Sequence, residues 1–379
     1  MVTKYRIAIL DGFRALAILA VILYHFSPNI FKYGYIGVQL FFIISGFVIF
    51  LTLEKTKYFF TFWKNRFIRL YPSMVFASLL TYAVISFWDH SFIFPGSHNF
   101  KNLLPAFLFL NPSFFNYLFN SFKISFDYID YSYWTLWVEI QFYFFCSVLF
   151  YINKKRFASN FITISVVLIL FNLLLKDIGL NNNLNINLAP GVISISVLLV
   201  QKIFNLVSYL SFFCTGMLFY ILYKNRHNKV STSLFIKFSL IFFIASSIYS
   251  GVIIQERIMY GLIILLFFCF VHYPKKLFIF ENKVFTSIGE CSYFLYLIHQ
   301  NIGLLLIYIF TPYFTHYEFV LPIIIILVII YFSKLFSIKI DRKINKWLKS
   351  KMISSNEVLS NYSESKFRPN KKLFSNRHL

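Results

Sequence analysis

Apolar runs of about twenty residues recur along this chain, separated by short polar connections. They fall at 8–27, 35–53, 71–89, 134–152, 159–175, 205–223, 233–252, 257–273, 287–311 and 317–337. Each is long enough to cross a hydrocarbon core as a helix. A helix satisfies its own backbone polar groups, which lipid cannot do. The pattern predicts an all-α polytopic membrane protein with about ten transmembrane helices. A further run, 186–201, is short and starts at Ala189-Pro190-Gly191. It reads as an interfacial or re-entrant piece.

Basic residues divide the connections into two sets. One set holds Lys4 and Arg6, then Lys55 to Arg69, Lys154 to Arg156, Lys224 to Lys229, and Lys275 to Lys283. The other holds only Lys32, Lys101, Lys123, Lys176, Lys202 and Arg257. The positive-inside bias predicts both termini in the cytoplasm. The long, aromatic 90–133 connection then lies outside, and long ordered loops tend to be functional.

Composition agrees with the pattern. With 59% hydrophobic and 13% charged residues, the chain is not a soluble domain. Its net charge of +22 follows from the basic connections, so no nucleic-acid partner is implied. Cys146, Cys214, Cys269 and Cys291 all lie in apolar segments without paired spacing. They read as small hydrophobes rather than disulfides or metal ligands, and no metal site is expected. Lys4 and Arg6 before an apolar run could suggest a signal peptide. Asp11 and Arg14 interrupt that run, so it reads as a retained first span. The expected division is a transmembrane domain over 1–340 and a basic, disordered cytoplasmic tail over 341–379, whose first residues face anionic lipid.

Candidate chemistry lies where charge enters lipid. A charge at the centre of a membrane helix costs about 2.5–3.5 kcal/mol, so it persists only with a partner or a wet cavity. Asp11 and Arg14 are an i,i+3 pair, and Arg14 and His25 share a helix face about 16 Å apart. Arg66 and Arg69 lie just before Pro72, read here as the opening of the third span, and guanidinium forks suit phosphates. Glu139 lies about two turns into the fourth span, behind an aromatic belt that includes Trp134. His25 is at similar depth, and a carboxylate beside an imidazole raises its basicity. Ser292 and His299 share a face of the ninth span. Such a lone histidine is ordinarily a satisfied core residue. No HExxH, GxSxG, Walker loop or CxxC pair is present.

Five segments in order resemble the acyltransferase-3 family of integral-membrane acyltransferases. LDGFRALAILAVILYHF carries that family's arginine–ten residues–histidine signature as Arg14 and His25. VQLFFIISGFVI resembles its second span. RFIRLYP resembles its RxxRxxP segment through Arg66, Arg69 and Pro72. YWTLWVEIQFY resembles its WSLxxExxFY segment, with Thr135 where serine is common. GECSYFLYLIHQ resembles its GxxSYxxYLxH segment through Gly289, Ser292, Tyr293 and His299. The resemblance implies a ten-helix core, an acyl-CoA donor entering from the cytoplasm and an acceptor on the far side. Some members add a soluble SGNH-type domain, which is not expected here.

The resulting expectation is an O-acyltransferase, acting with acetyl-CoA on a cell-surface or lipid-linked glycan in a bacterial inner membrane. Acyl-CoA would be a substrate, with no permanently bound cofactor. Arg14, Arg66 and Arg69 would hold CoA phosphates. His25, oriented by Glu139, would serve the acceptor hydroxyl as base or nucleophile. Asp11, Trp134, Ser292, Tyr293 and His299 are further candidates. The rivals are a transporter that uses the same ionisable residues as a relay, and a subunit that only passes acyl groups to a separate enzyme.

Overall fold

A computed structural model describes residues 7–180, 204–314 and 320–351. Among these residues the only regular secondary structure is helix, without strands. The main helices are α1 (Ala8–Phe26), α2 (Gly37–Lys55), α3 (Phe59–Trp88), the short α4 (Leu103–Leu108) and α5 (Pro112–Leu118), α6 (Trp134–Ile152) and α7 (Phe157–Leu180). They are followed by α8 (Leu206–His227), α9 (Leu234–Tyr249), α10 (Ile254–His272), α11 (Lys283–Ile298), α12 (Asn301–Phe310) and α13 (Val320–Phe336).

Each of the ten runs expected to cross coincides, among the described residues, with helix, the ninth with a pair of helices. Among the described residues, eight helices are long and apolar enough to cross a membrane alone. The pair α11 and α12, bent by 76°, brings the total to nine. The 16-residue α9 is shorter than a full span. The 186–201 run lies outside the described residues. Its flanking helices meet at one end of the bundle, where Asn172 and Leu173 of α7 and Val207 and Ser208 of α8 line a common cavity.

Three expectations need correction. Pro72 does not open a helix; it lies inside the 30-residue α3. Proline lacks the N–H that would bond the carbonyl four residues back, a local loss that packing around a long helix outweighs. The ninth span is not one straight helix but breaks at His299 and Gln300. The last span does not give way to an irregular tail at residue 341. After a π turn at Ser337–Asp341 it stays helical to Lys351. Asp341 accepts a 2.8 Å hydrogen bond from Ser73, and Arg342 pairs with Glu290 at 2.6 Å, which tie this extension to α3 and α11.

Glycines set the closest helix contacts. A Cβ on Gly46 of α2 would stand 2.0 Å from the Phe213 carbonyl oxygen of α8, and one on Gly216 would stand 1.9 Å from that of Ile43. In lipid, where apolar surface gains nothing from burial against apolar surface, such close approach supplies packing. Lys224 of α8 reaches Glu54 at the end of α2, 2.8 Å away, and so closes the same pair at the end that also holds Arg342 and Glu290. This end is called the terminal end below; the opposite end, which carries residues 89–133, is called the loop end.

Candidate active site

Between α1, α2, α3, α6 and α11 lies a cavity of about 90 Å³. It is lined by Arg14, Arg66, Arg69, Glu139, Ser292 and Tyr293, together with Ser45, Thr135, Tyr143 and Tyr296. The structure thus brings together residues from four separated sequence segments, with Ser45 from a fifth.

The three guanidinium groups differ in their partners. Arg14 pairs with Asp11 at 2.7 Å, as the i,i+3 spacing predicts. Arg66 is buried, donates to Thr52 Oγ1 at 2.7 Å and lies over the rings of Phe62 and Tyr143. It is therefore not a surface anchor, and its buried Nε has no hydrogen-bond partner. Arg69 is exposed and, among the described residues, makes no hydrogen bond or ion pair. Its charge lies within electrostatic reach of both Arg14 and Arg66. Carboxylates of the protein share in compensating these like charges: Asp11 pairs with Arg14, and Glu139 and Asp341 lie within electrostatic reach of Arg66 and Arg69 respectively.

Glu139 does not meet His25. It accepts a 2.6 Å bond from Ser45 and a second from Tyr143, and it lies within electrostatic reach of Arg66. Equal depth on two helices does not bring two side chains together, because the direction around each axis also matters. Glu139 faces the cavity and its arginines. Tyr143, four residues on, was legible as its i,i+4 neighbour; Ser45 and Thr52 carried no signal beyond polarity inside an apolar run.

His25 instead lies beside His299, with ring centroids 5.2 Å apart and the ring planes tilted by 59°. His299 is fully buried and its Nδ1 donates to the Tyr296 carbonyl at 2.7 Å. That bond leaves Nε2 as the acceptor nitrogen of the neutral ring, and Nε2 has no partner. Tyr296 joins the two regions. Its ring packs 5.2 Å from His299, its hydroxyl meets Thr135 at 3.0 Å, and it lines the cavity. Arginines therefore line the cavity, and two imidazoles lie beyond Tyr296, outside its lining. Ser292 faces the cavity while donating to the Gly289 carbonyl, and Tyr293 donates to the Leu70 carbonyl. Trp134 packs on Tyr209 and does not line the cavity.

At the loop end, sequence reasoning passed over Asp130. This carboxylate is fully buried. It accepts from Ser132 N at 2.9 Å, from Ser132 Oγ at 2.6 Å and from Asn301 N at 3.1 Å. Burial pushes its carboxyl up to about 6, against the pull of these bonds.

A model of the family described as "Acyltransferase domain" matches residues 7–338. The chain belongs to that family, and the helical bundle is an acyltransferase domain integral to the membrane. Among curated proteins it is 38% identical over 85 residues to the O-acetyltransferase OatA of Staphylococcus aureus (strain NCTC 8325 / PS 47). It is 39% identical over 87 residues to the peptidoglycan O-acetyltransferase OatA of Listeria monocytogenes serovar 1/2a (strain ATCC BAA-679 / EGD-e). These matches cover 20% and 21% of this chain, and the chain spans only 14% of the length of either relative. No solved structure matches the chain.

Proposed function

We propose that the chain transfers an acetyl group from acetyl-CoA to a hydroxyl of a cell-surface glycan, at the bacterial cytoplasmic membrane, with both termini inside. The observation that carries this reading is the cavity that gathers three arginines, with Tyr296 of its wall packed against His299 beside His25. The arginines suit the phosphates of CoA, whose thin thiol arm could extend along the cavity toward Tyr296. His25 is the general base. It takes the proton from the acceptor hydroxyl as the oxygen attacks the thioester carbonyl. The carbon–sulfur bond then breaks, and the thiolate leaves and is protonated to free CoA. A positioned base of this kind is typically worth about 10²–10⁴-fold in rate. The names of both relatives support O-acetyl transfer, and the Listeria name points to peptidoglycan as the acceptor for that protein.

The test is transfer of labelled acetyl from acetyl-CoA by the purified full-length protein, with peptidoglycan fragments, lipopolysaccharide and capsule oligosaccharide offered separately. Labelled glycan and stoichiometric free CoA are expected, and His25→Ala should lose both. Movement of label across a vesicle without any glycan product would favour the translocating subunit instead.

A further inference from the structure

The break in the ninth span needs a cause. Neither proline nor glycine lies at His299 or Gln300, so the backbone there has no intrinsic reason to bend. The cause lies outside the helix. Asp130 Oδ2 accepts the amide of Asn301, the first residue of α12, so a carboxylate from another segment caps the new helix. The Asn301 side chain donates to Ser97 Oγ at 2.8 Å and to the Ile129 carbonyl at 3.2 Å, and Ser97 Oγ donates to the same carbonyl at 2.6 Å. Just before the break, Tyr133 donates to the Leu297 carbonyl and Tyr296 to the Ser132 carbonyl. Both sides of the bend are thereby bolted to the stretch 129–133, and His299 lies between the bolts.

We propose that Asp130 is a positioning residue for acyl transfer: its buried carboxylate holds the α11–α12 break and thereby keeps His299 against His25. This rests on the assignment of His25 to the acceptor hydroxyl. Asp130 touches neither histidine and acts only through the backbone at Asn301 and through Ser132. A capped break keeps His299 enclosed with its Nε2 free beside the His25 ring. Without the cap, the freed Asn301 amide favours a rejoined or shifted helix, and His299 leaves its place.

The experiment compares the full-length wild type with Asp130→Ala and Asp130→Asn in membranes. Carbethoxylation of His299 by diethyl pyrocarbonate is followed by peptide mass, beside kcat and the KM for acetyl-CoA. His299 should be protected in the wild type and react roughly tenfold or more faster in Asp130→Ala. In the same variant kcat should fall at least tenfold, because small misplacements of reacting groups cost such factors, while the donor KM stays within about twofold. Asp130→Asn, which keeps one acceptor oxygen, should fall between. Protected His299 with unchanged kcat would overturn the proposal, as would a parallel loss of donor binding and turnover, the mark of general unfolding. The labelling keeps the two assignments apart. If His25→Ala turns over normally, the assignment of His25 fails, while His299 exposure still reports whether Asp130 holds the break.

Discussion

Gly289 and Asp11 touch backbone to backbone: a Cβ on Gly289 would stand 1.9 Å from the Asp11 carbonyl oxygen. This contact presses α11 against α1 and brings Ser292 and Tyr293 to the same cavity as Arg14. Because the obstructing atom belongs to backbone, no rotamer change relieves it. Gly289→Ala should force the helices apart, at an overpacking cost of about 1–3 kcal/mol, and should reduce donor binding along with stability. Thermal unfolding in detergent and CoA titration check both. Wild-type values in each would mean that the two helices tolerate separation.

Glu139 is bonded to Ser45 and Tyr143 and faces the arginines rather than His25. Glu139→Gln should therefore change donor affinity, since one negative charge near Arg66 is removed, and it should leave the pH dependence set by His25 in place. Activity measured across pH separates these effects. A shift in the acidic limb equal to that expected for a lost His–carboxylate pair would restore the direct partnership that the side-chain geometry denies.

Asp130 should also impose a pH dependence on stability. Its folded value of about 6 lies above the unfolded value of 3.8. An acid raised on folding adds stability that is fully present below the unfolded value and is lost as pH rises through the folded one. Wild-type stability should thus fall between about pH 4 and 6, by an amount on the order of 1–3 kcal/mol, read as a falling unfolding temperature, and Asp130→Asn should flatten that fall. The ionisable groups within electrostatic reach of it, Tyr133 and Tyr296, are neutral over this range. An equal slope in both proteins would place the titrating group elsewhere.

The Lys224–Glu54 and Arg342–Glu290 pairs lie at one end of the bundle. Reporter fusions after residue 225 and after residue 340 should therefore give the same signal, the cytoplasmic one under the proposed orientation. Opposite signals would require an odd number of crossings between them.

Much of this architecture was legible because lipid imposes a single rule: an apolar run of sufficient length becomes a helix. The Asp11–Arg14 pair was legible from spacing alone, and the grouping of Arg14 with Arg66 and Arg69 from the family resemblance. The partner of Glu139 was not, since depth along a helix says nothing about direction around it. The bend at His299 was not legible either. Its cause is a carboxylate far away in sequence, and local propensity carries no trace of such a cap. Pro72 misled because its preference for a first turn yielded to the packing of a long helix.

Donor binding measured directly tests the central claim, that one end of the cavity holds the donor and the histidine end performs the chemistry. Acetyl-CoA affinity is titrated calorimetrically for wild type, Arg69→Ala, Arg69→Lys and His25→Ala. Arg69 has no hydrogen bond of its own to lose among the described residues, so its removal should spare stability. Arg69→Ala should lose about 1.5–3 kcal/mol of binding, and Arg69→Lys should recover part of it. His25→Ala should bind as the wild type does yet release no CoA. Equal affinity in all four proteins, or loss of binding only in His25→Ala, would contradict the account.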